Sequence, residues 1–153
     1  MGQQQLLLIV LITIIIGIAS LVAVTTFDSA AQSANRDALT IDVTTLASSA
    51  QDYFLRPEPL GGGGRTYDGF MIQGKLLPVK GISSDGLFAE TENGTLEIVS
   101  ASGGALSIIG HPSSCEGYTP GTLDEDSVLS NPGTCSETDQ ISATVGSREI
   151  VFE

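Results

Sequence analysis

Apolar residues follow three successive rhythms along this chain. Residues 6–24, LLLIVLITIIIGIASLVAV, carry no charge, and only Thr13, Gly17 and Ser20 break the aliphatic run. A helix over these residues is about 30 Å long, the thickness of a bilayer's hydrocarbon core. Leu6, Leu7, Leu8, Ile9, Val10, Leu11, Ile12, Ile14, Ile15, Ile16, Ile18, Leu21, Val22 and Val24 cover such a helix on all sides. From residue 39 the pattern becomes periodic. With about 100° per residue, Leu39, Val43, Leu46, Ala50, Tyr53 and Phe54 fall on one stripe. Asp37, Thr44, Ser48, Gln51 and Asp52 fall opposite, and Ile41 points away from the stripe. No Gly or Pro lies between Gly17 and Pro57. The two rhythms therefore predict a single helix from about residue 3 to residue 55, ended by Pro57 and Pro59.

Beyond the prolines the period shortens to that of strands. FMIQG (70–74) and KLLPVKG (75–81) are short candidates, the second weakened by Pro78. GLFAETENGTLEIVSA (86–101) reads as a hairpin turning at Asn93-Gly94. ALSIIG (105–110) adds a strand, and residues 140–153 read as a last hairpin turning at Gly146-Ser147. The expected fold is α+β: a long N-terminal helix with an apolar first half, and roughly four to six antiparallel strands packed on its second half. The expected organisation is an apolar half-helix over 1–27, an amphipathic half-helix over 28–56 and a β-rich outer domain over 57–153.

Composition narrows the function. Six basic against eighteen acidic residues give a formal charge of −12, which disfavours binding of nucleic acid by charge. There are two cysteines, Cys115 and Cys135. Behind an N-terminal membrane segment such a pair reads as a disulfide closing the loop 115–135, in preference to two buried thiols. Candidate chemistry is sparse. The single histidine, His111, is expected in a loop and has no second His for a metal site. Glycines 61–64 lack the Lys-Ser/Thr of a phosphate-binding loop and read as a turn. Asp124, Glu125 and Asp126 do not have EF-hand spacing and read as a solvated acidic loop. Asn93-Gly94-Thr95 fits the N-glycosylation pattern, but a turn explains the same residues. No catalytic residue, cofactor or metal is expected, and the chain does not read as an enzyme.

Three burial partners compete for residues 6–24. A cleaved signal peptide needs a basic n-region, and the first basic residue here is Arg36. The others are an ordinary anchor and an anchor that later packs against identical helices. Taken with the stripe and the cysteine pair, the chain resembles the type IV pilins and pilin-like filament subunits. The resemblance implies that Gly2 matches the glycine after which prepilin peptidase cuts, with Gln3 as the new N-terminus. Residues 6–24 match the polymerisation half-helix, residues 39–54 the half covered by the sheet, and Cys115 and Cys135 the loop-closing pair. Three features depart from the family: the leader is Met-Gly alone, Gln3 stands where Phe is common, and Leu7 stands where a Glu is common. That Glu is thought to pair with a neighbour's N-terminal amine, a step that Leu7 cannot perform. The helix-breaking Pro of bacterial pilins is also absent from 6–24. The implied partners are further copies of the chain, the membrane before assembly, prepilin peptidase and a pilus assembly machine. The implied location is the inner membrane and then a surface filament. Alternatives are a pseudopilin of a secretion machine and a single-pass anchored domain that binds a surface ligand.

Overall fold

The structure, a computed structural model, describes residues 2–75, 77–123 and 128–152. Helix α1 (Gly2–Leu55) is unbroken, as the absence of Pro within it allows. Pro57 ends it, and a short 3-10 helix (Glu58–Leu60) leads into glycines 61–64. This glycine turn closes the helix. Gly63 N–H donates to the Tyr53 carbonyl (2.8 Å), Arg65 N–H to that of Phe54 (2.9 Å) and Gly64 N–H to that of Arg56 (3.0 Å). Carbonyls that a helix end leaves open are thus satisfied by the chain's own next turn.

The chain forms two compact units, Met1–Ala34 and Asn35–Glu153. Within the second unit the strands are β1 (Val79–Ile82), β2 (Phe88–Thr91), β3 (Gly94–Ser102), β4 (Ala105–Pro112), β5 (Thr122–Leu123), β6 (Leu129–Asn131), β7 (Ile141–Gly146) and β8 (Ile150–Phe152). Among the described residues they make a six-stranded sheet in the order β1-β2-β3-β4-β7-β8 and a two-stranded ribbon β5-β6. All strand pairs are antiparallel. The fold is the expected α+β arrangement of one long apolar-headed helix and an antiparallel sheet packed on it.

The core lies between the stripe of α1 and the inner face of the sheet. Leu39, Val43, Leu46, Ala47, Ala50 and Phe54 cluster with Ala89, Leu96, Ile98, Leu106, Ile108, Ala143 and Val145. Each of these is at most 7 % exposed. Gly110 of β4 marks the closest approach: a Cβ there would sit 2.9 Å from Val43 Cγ2 and 3.2 Å from Leu39 Cδ2. At the end of the stripe, Tyr53 meets Phe70 and Phe54 meets Tyr67 as tilted ring pairs, with centroids 5.4 Å and 4.9 Å apart. The Tyr67 hydroxyl donates to the Gly146 carbonyl at 2.9 Å, fixing the end of β7.

Several local details differ from the expected pattern. FMIQG forms no strand; Phe70 and Ile72 are buried from irregular backbone, with Ile72 N–H donating to the Gly86 carbonyl at 2.8 Å. The β2–β3 loop is Glu92-Asn93, one residue before the expected turn, because Phe88 pairs with Glu97 and Glu90 with Thr95. The β7–β8 loop is likewise displaced to Ser147-Arg148, since Val145 pairs with Ile150. The β3–β4 ladder shifts register between Ile98 and Ser100. This bulge at Val99 returns Ala101 to the core side opposite Leu106.

Truncating the stripe is expected to separate core from surface. Leu46→Ala should cost about 2–5 kcal/mol through lost burial and a residual cavity. Ile41→Ala, at a site 66 % exposed, should change stability by no more than about 0.5 kcal/mol. Denaturant melts of both variants check this.

Candidate assembly surface and the covered outer face

The described residues of the first unit are exposed helix surface. Leu6, Leu7, Leu8, Ile9, Val10, Leu11, Ile12, Ile14, Ile15, Ile16, Ile18, Leu21, Val22 and Val24 are exposed in every direction, from 45 % at Ile12 to 71 % at Leu21. Gly2 and Gln3 occupy the first turn and are exposed too. The hydroxyls within the run hydrogen-bond to the helix's own backbone. Thr13 donates to the Val10 carbonyl and Ser20 to that of Ile16, both at 2.8 Å, and Thr26 donates to that of Val22 at 2.8 Å. The polar atoms are therefore satisfied internally, as an apolar solvent requires. This helix is long and apolar enough to cross a membrane, and it is compatible with membrane anchoring.

Exposure continues past the apolar run, with Phe27 at 75 % and residues 28–34 uncovered. Cover begins at Asn35, ahead of the 39–54 stretch expected to pack on the sheet. There Asn35 Nδ2 donates to Ser113 Oγ (3.1 Å), and Ser114 N–H donates to Asn35 Oδ1 (3.3 Å). Arg36 reaches Asp139 at 3.9 Å in an exposed pair, which contributes little. Of the expected packing residues, Leu39, Val43, Leu46, Ala50 and Phe54 are buried and Tyr53 is half-buried. Ala47 and Asp42 join them, two positions that the apolar pattern alone does not single out. Asp42 lies about 60° from Leu39 on the helical wheel, within the stripe. Its carboxylate Oδ2 accepts from Asn93 Nδ2 at 2.9 Å and lies 3.3 Å from Thr91 Oγ1.

The outer face of the sheet carries a row of polar side chains. Glu90 of β2 lies opposite Thr95 of β3, which lies opposite His111 of β4. All are buried, at 8 %, 0 % and 4 % exposure. His111 is thus in a strand and not in a loop: β4 runs on to Pro112, which needs no N–H at its last position. His111 Nε2 lies 3.5 Å from Glu97 Oε2. Neither its ring nitrogens nor Glu90 Oε2 has a hydrogen-bond partner among the described residues.

The cover over this row is the loop closed by Cys115 and Cys135. The two are joined as a disulfide with Cα atoms 6.2 Å apart. Tyr118 Oη hydrogen-bonds Thr95 Oγ1 at 2.9 Å. Gly133 passes so close that a Cβ there would lie 2.4 Å from Thr95 Oγ1. Thr119 and Thr134 exchange backbone hydrogen bonds at 3.1 Å across the loop. In the Asn93-Gly94-Thr95 sequence, Thr95 is buried and Asn93 half-buried. Among the described residues no group of three or more His, Cys, Asp or Glu could hold a metal ion. Asp124, Glu125 and Asp126 lie outside the described residues.

Burial, then the nearby Glu90 carboxylate, pushes the Tyr118 phenol above its ordinary 10.0, against the opposing hydrogen bond from Thr95. Burial also raises Tyr67. A phenol that holds its proton more tightly folded than unfolded contributes stability below the unfolded value, and that stability is lost as pH rises through the folded one. Melting temperature should therefore fall on the alkaline side, and Tyr118→Phe should flatten part of that fall. A Tm series across alkaline pH checks it. Cys115→Ser should cost about 3 kcal/mol, the closure entropy of a loop of this size, read from denaturant melts.

No protein-family model, no curated protein and no solved structure matches this chain.

Proposed function

We propose that the chain is a structural subunit of an extracellular filament of the type IV pilin kind. The single observation that supports this reading is the state of helix α1. Its residues 6–24 expose aliphatic side chains on every side, while its residues 39–54 are covered by the chain's own sheet. A helix that is apolar all round needs an environment that surrounds it, either lipid or several other helices. In the proposed cycle the membrane first holds residues 6–24. An assembly machine then transfers them to a core of identical helices, after prepilin peptidase cuts between Gly2 and Gln3. Burying one Leu or Ile side chain away from water contributes about 1.5–3 kcal/mol, so a core of this kind resists dissolution. Between lipid and core that driving force is nearly absent, which is why a machine is required.

Ile14→Lys or Ile15→Asp is expected to abolish filaments in sheared surface fractions, because an unpaired charge buried in the core is costly. The Tm of the outer domain should not change. Normal filaments from either variant would rule the reading out. Membrane-bound monomer from the unmutated chain, with no filament in any sheared fraction, would favour an anchored single-copy domain instead.

The charge of −12 per subunit adds a second test. Repulsion between closely stacked outer domains is screened within about 10 Å at 0.1 M salt and about 3 Å at 1 M. Filament melting temperature should therefore rise with salt. A flat or falling series would mean that the charges are already compensated between subunits.

A further inference from the structure

Asn93-Gly94 stands where the β2–β3 hairpin meets helix α1, and several interactions converge on it. Asn93 Nδ2 donates to Asp42 Oδ2 at 2.9 Å. Asn93 N–H donates to Thr91 Oγ1 at 3.2 Å, and its carbonyl accepts from Ser113 N–H at 2.9 Å. Gly94 cannot be replaced by a larger residue: with φ at 152°, a Cβ would lie 2.0 Å from the His111 carbonyl oxygen. The close approach of β4 thus obliges the chain to keep glycine after this asparagine. Asn followed by Gly is the dipeptide in which the next backbone nitrogen reaches the side-chain carbonyl with least hindrance.

We propose that Asn93 is a deamidation site, and that its carboxylate product releases the β2–β3 hairpin from helix α1. The Gly94 nitrogen, losing its proton to solvent, attacks Asn93 Cγ. The new N–Cγ bond forms as the Cγ–Nδ2 bond breaks, and the side-chain nitrogen leaves as ammonia. Water then opens the five-membered imide. Cleavage of the N–Cγ bond yields Asp, and cleavage at the Asn93 main-chain carbonyl yields isoAsp. The net change is amide plus water to acid plus ammonia, with no oxidation or reduction.

Geometry determines both the rate and the consequence. In the closed junction the amide is held by Asp42 and the backbone by Thr91 and Ser113, so attack requires local opening of the turn. After the reaction the amide donor is gone, and Asp42, only 8 % exposed, keeps only the Thr91 hydroxyl at 3.3 Å, which also lies 3.1 Å from the Gly94 carbonyl. Two carboxylates then face each other where an amide hydrogen was shared. The ion pairs formed among the described residues do not include Asp42. Lys80 lies at 3.5 Å from the neighbouring Glu92. An isoAsp linkage additionally inserts a backbone carbon just before Gly94, where β3 begins and pairs with Pro112. Either product disfavours closing of the junction.

The test uses the full chain in detergent, aged at mildly alkaline pH beside a denatured control and mapped by peptide mass. Asn93 should convert to a mixture of Asp and isoAsp, more slowly folded than denatured. Asn93→Asp should melt at least about 4 °C below the native chain. The exchange Asp42→Asn with Asn93→Asp restores an amide facing a carboxylate and should recover most of that loss. An Asn93 that stays intact in the folded chain while the control converts would overturn the proposal. So would an Asn93→Asp chain that melts like the native one, or a double exchange that recovers nothing.

Discussion

Close contact between the 39–54 stripe of α1 and strand β4 is the constraint from which the rest of the second unit follows. Gly110 removes the side chain that would separate the strand from Val43 and Leu39, so the helix rests on the sheet at close range. Once one face of β4 is inner, the strand's period of two fixes the other. Leu106, Ile108 and Gly110 go inward, and Ser107, Ile109 and His111 go outward. Pairing passes the same parity to β3 and β2, which places Thr95 and Glu90 beside His111. An outer face holding such groups must be either solvated or covered. Here it is covered, and the cover has little apolar material of its own, which is why a covalent link between Cys115 and Cys135 suits it.

Apolar burial is non-directional, so it does not by itself set where along the sheet the helix sits. The polar ties supply that. Asn35 contacts Ser113 and Ser114 at the start of the covered stretch. Asp42 takes the Asn93 amide about two turns later, and the glycine turn binds the carbonyls of Tyr53, Phe54 and Arg56. Each tie joins α1 to a different loop. Sliding the helix by one turn would break all of them together and leave the Asp42 carboxylate buried without a donor, a cost of the kind that discriminates between registers.

Much of this was legible in the sequence because it depends on periodicity. Leu39, Val43, Leu46, Ala50 and Phe54 could be found from spacing alone, and Pro57 marked the end of the helix. The cysteine pair was legible from count and context. What was not legible depended on partners distant in sequence. Asn93-Gly94 has the composition of a hairpin turn, yet Gly94 is needed for the approach of His111's carbonyl, and the turn lies one residue earlier. His111, followed by Pro112, looked like a loop residue because nothing local reveals that 115–135 folds back over it. FMIQG has strand composition, but its Phe70 and Ile72 enter the core, Phe70 against Tyr53, without joining a ladder. Asp42 carried a positional signal, being within the stripe, but a carboxylate there makes sense only once Thr91 and Asn93 are seen opposite.

The two parts of α1 require different surroundings, and this bears on how the proposed filament would hold together. Residues 39–54 find their apolar environment inside their own chain, so their contribution is complete before any assembly. Residues 6–24 find none there, and water is the one medium in which they cannot remain. Lipid and a bundle of identical helices satisfy them almost equally, since the hydroxyls of Thr13 and Ser20 are already bonded to the backbone in either. Transfer between the two media therefore involves little hydrophobic gain, and helix packing must supply the difference through close contact. Against that modest term stands repulsion among outer units that carry most of the acidic residues. On the proposed reading, the balance that decides whether a filament persists outside the membrane is set by aqueous conditions around the outer units, while the core, once out of lipid, has no favourable route back into water.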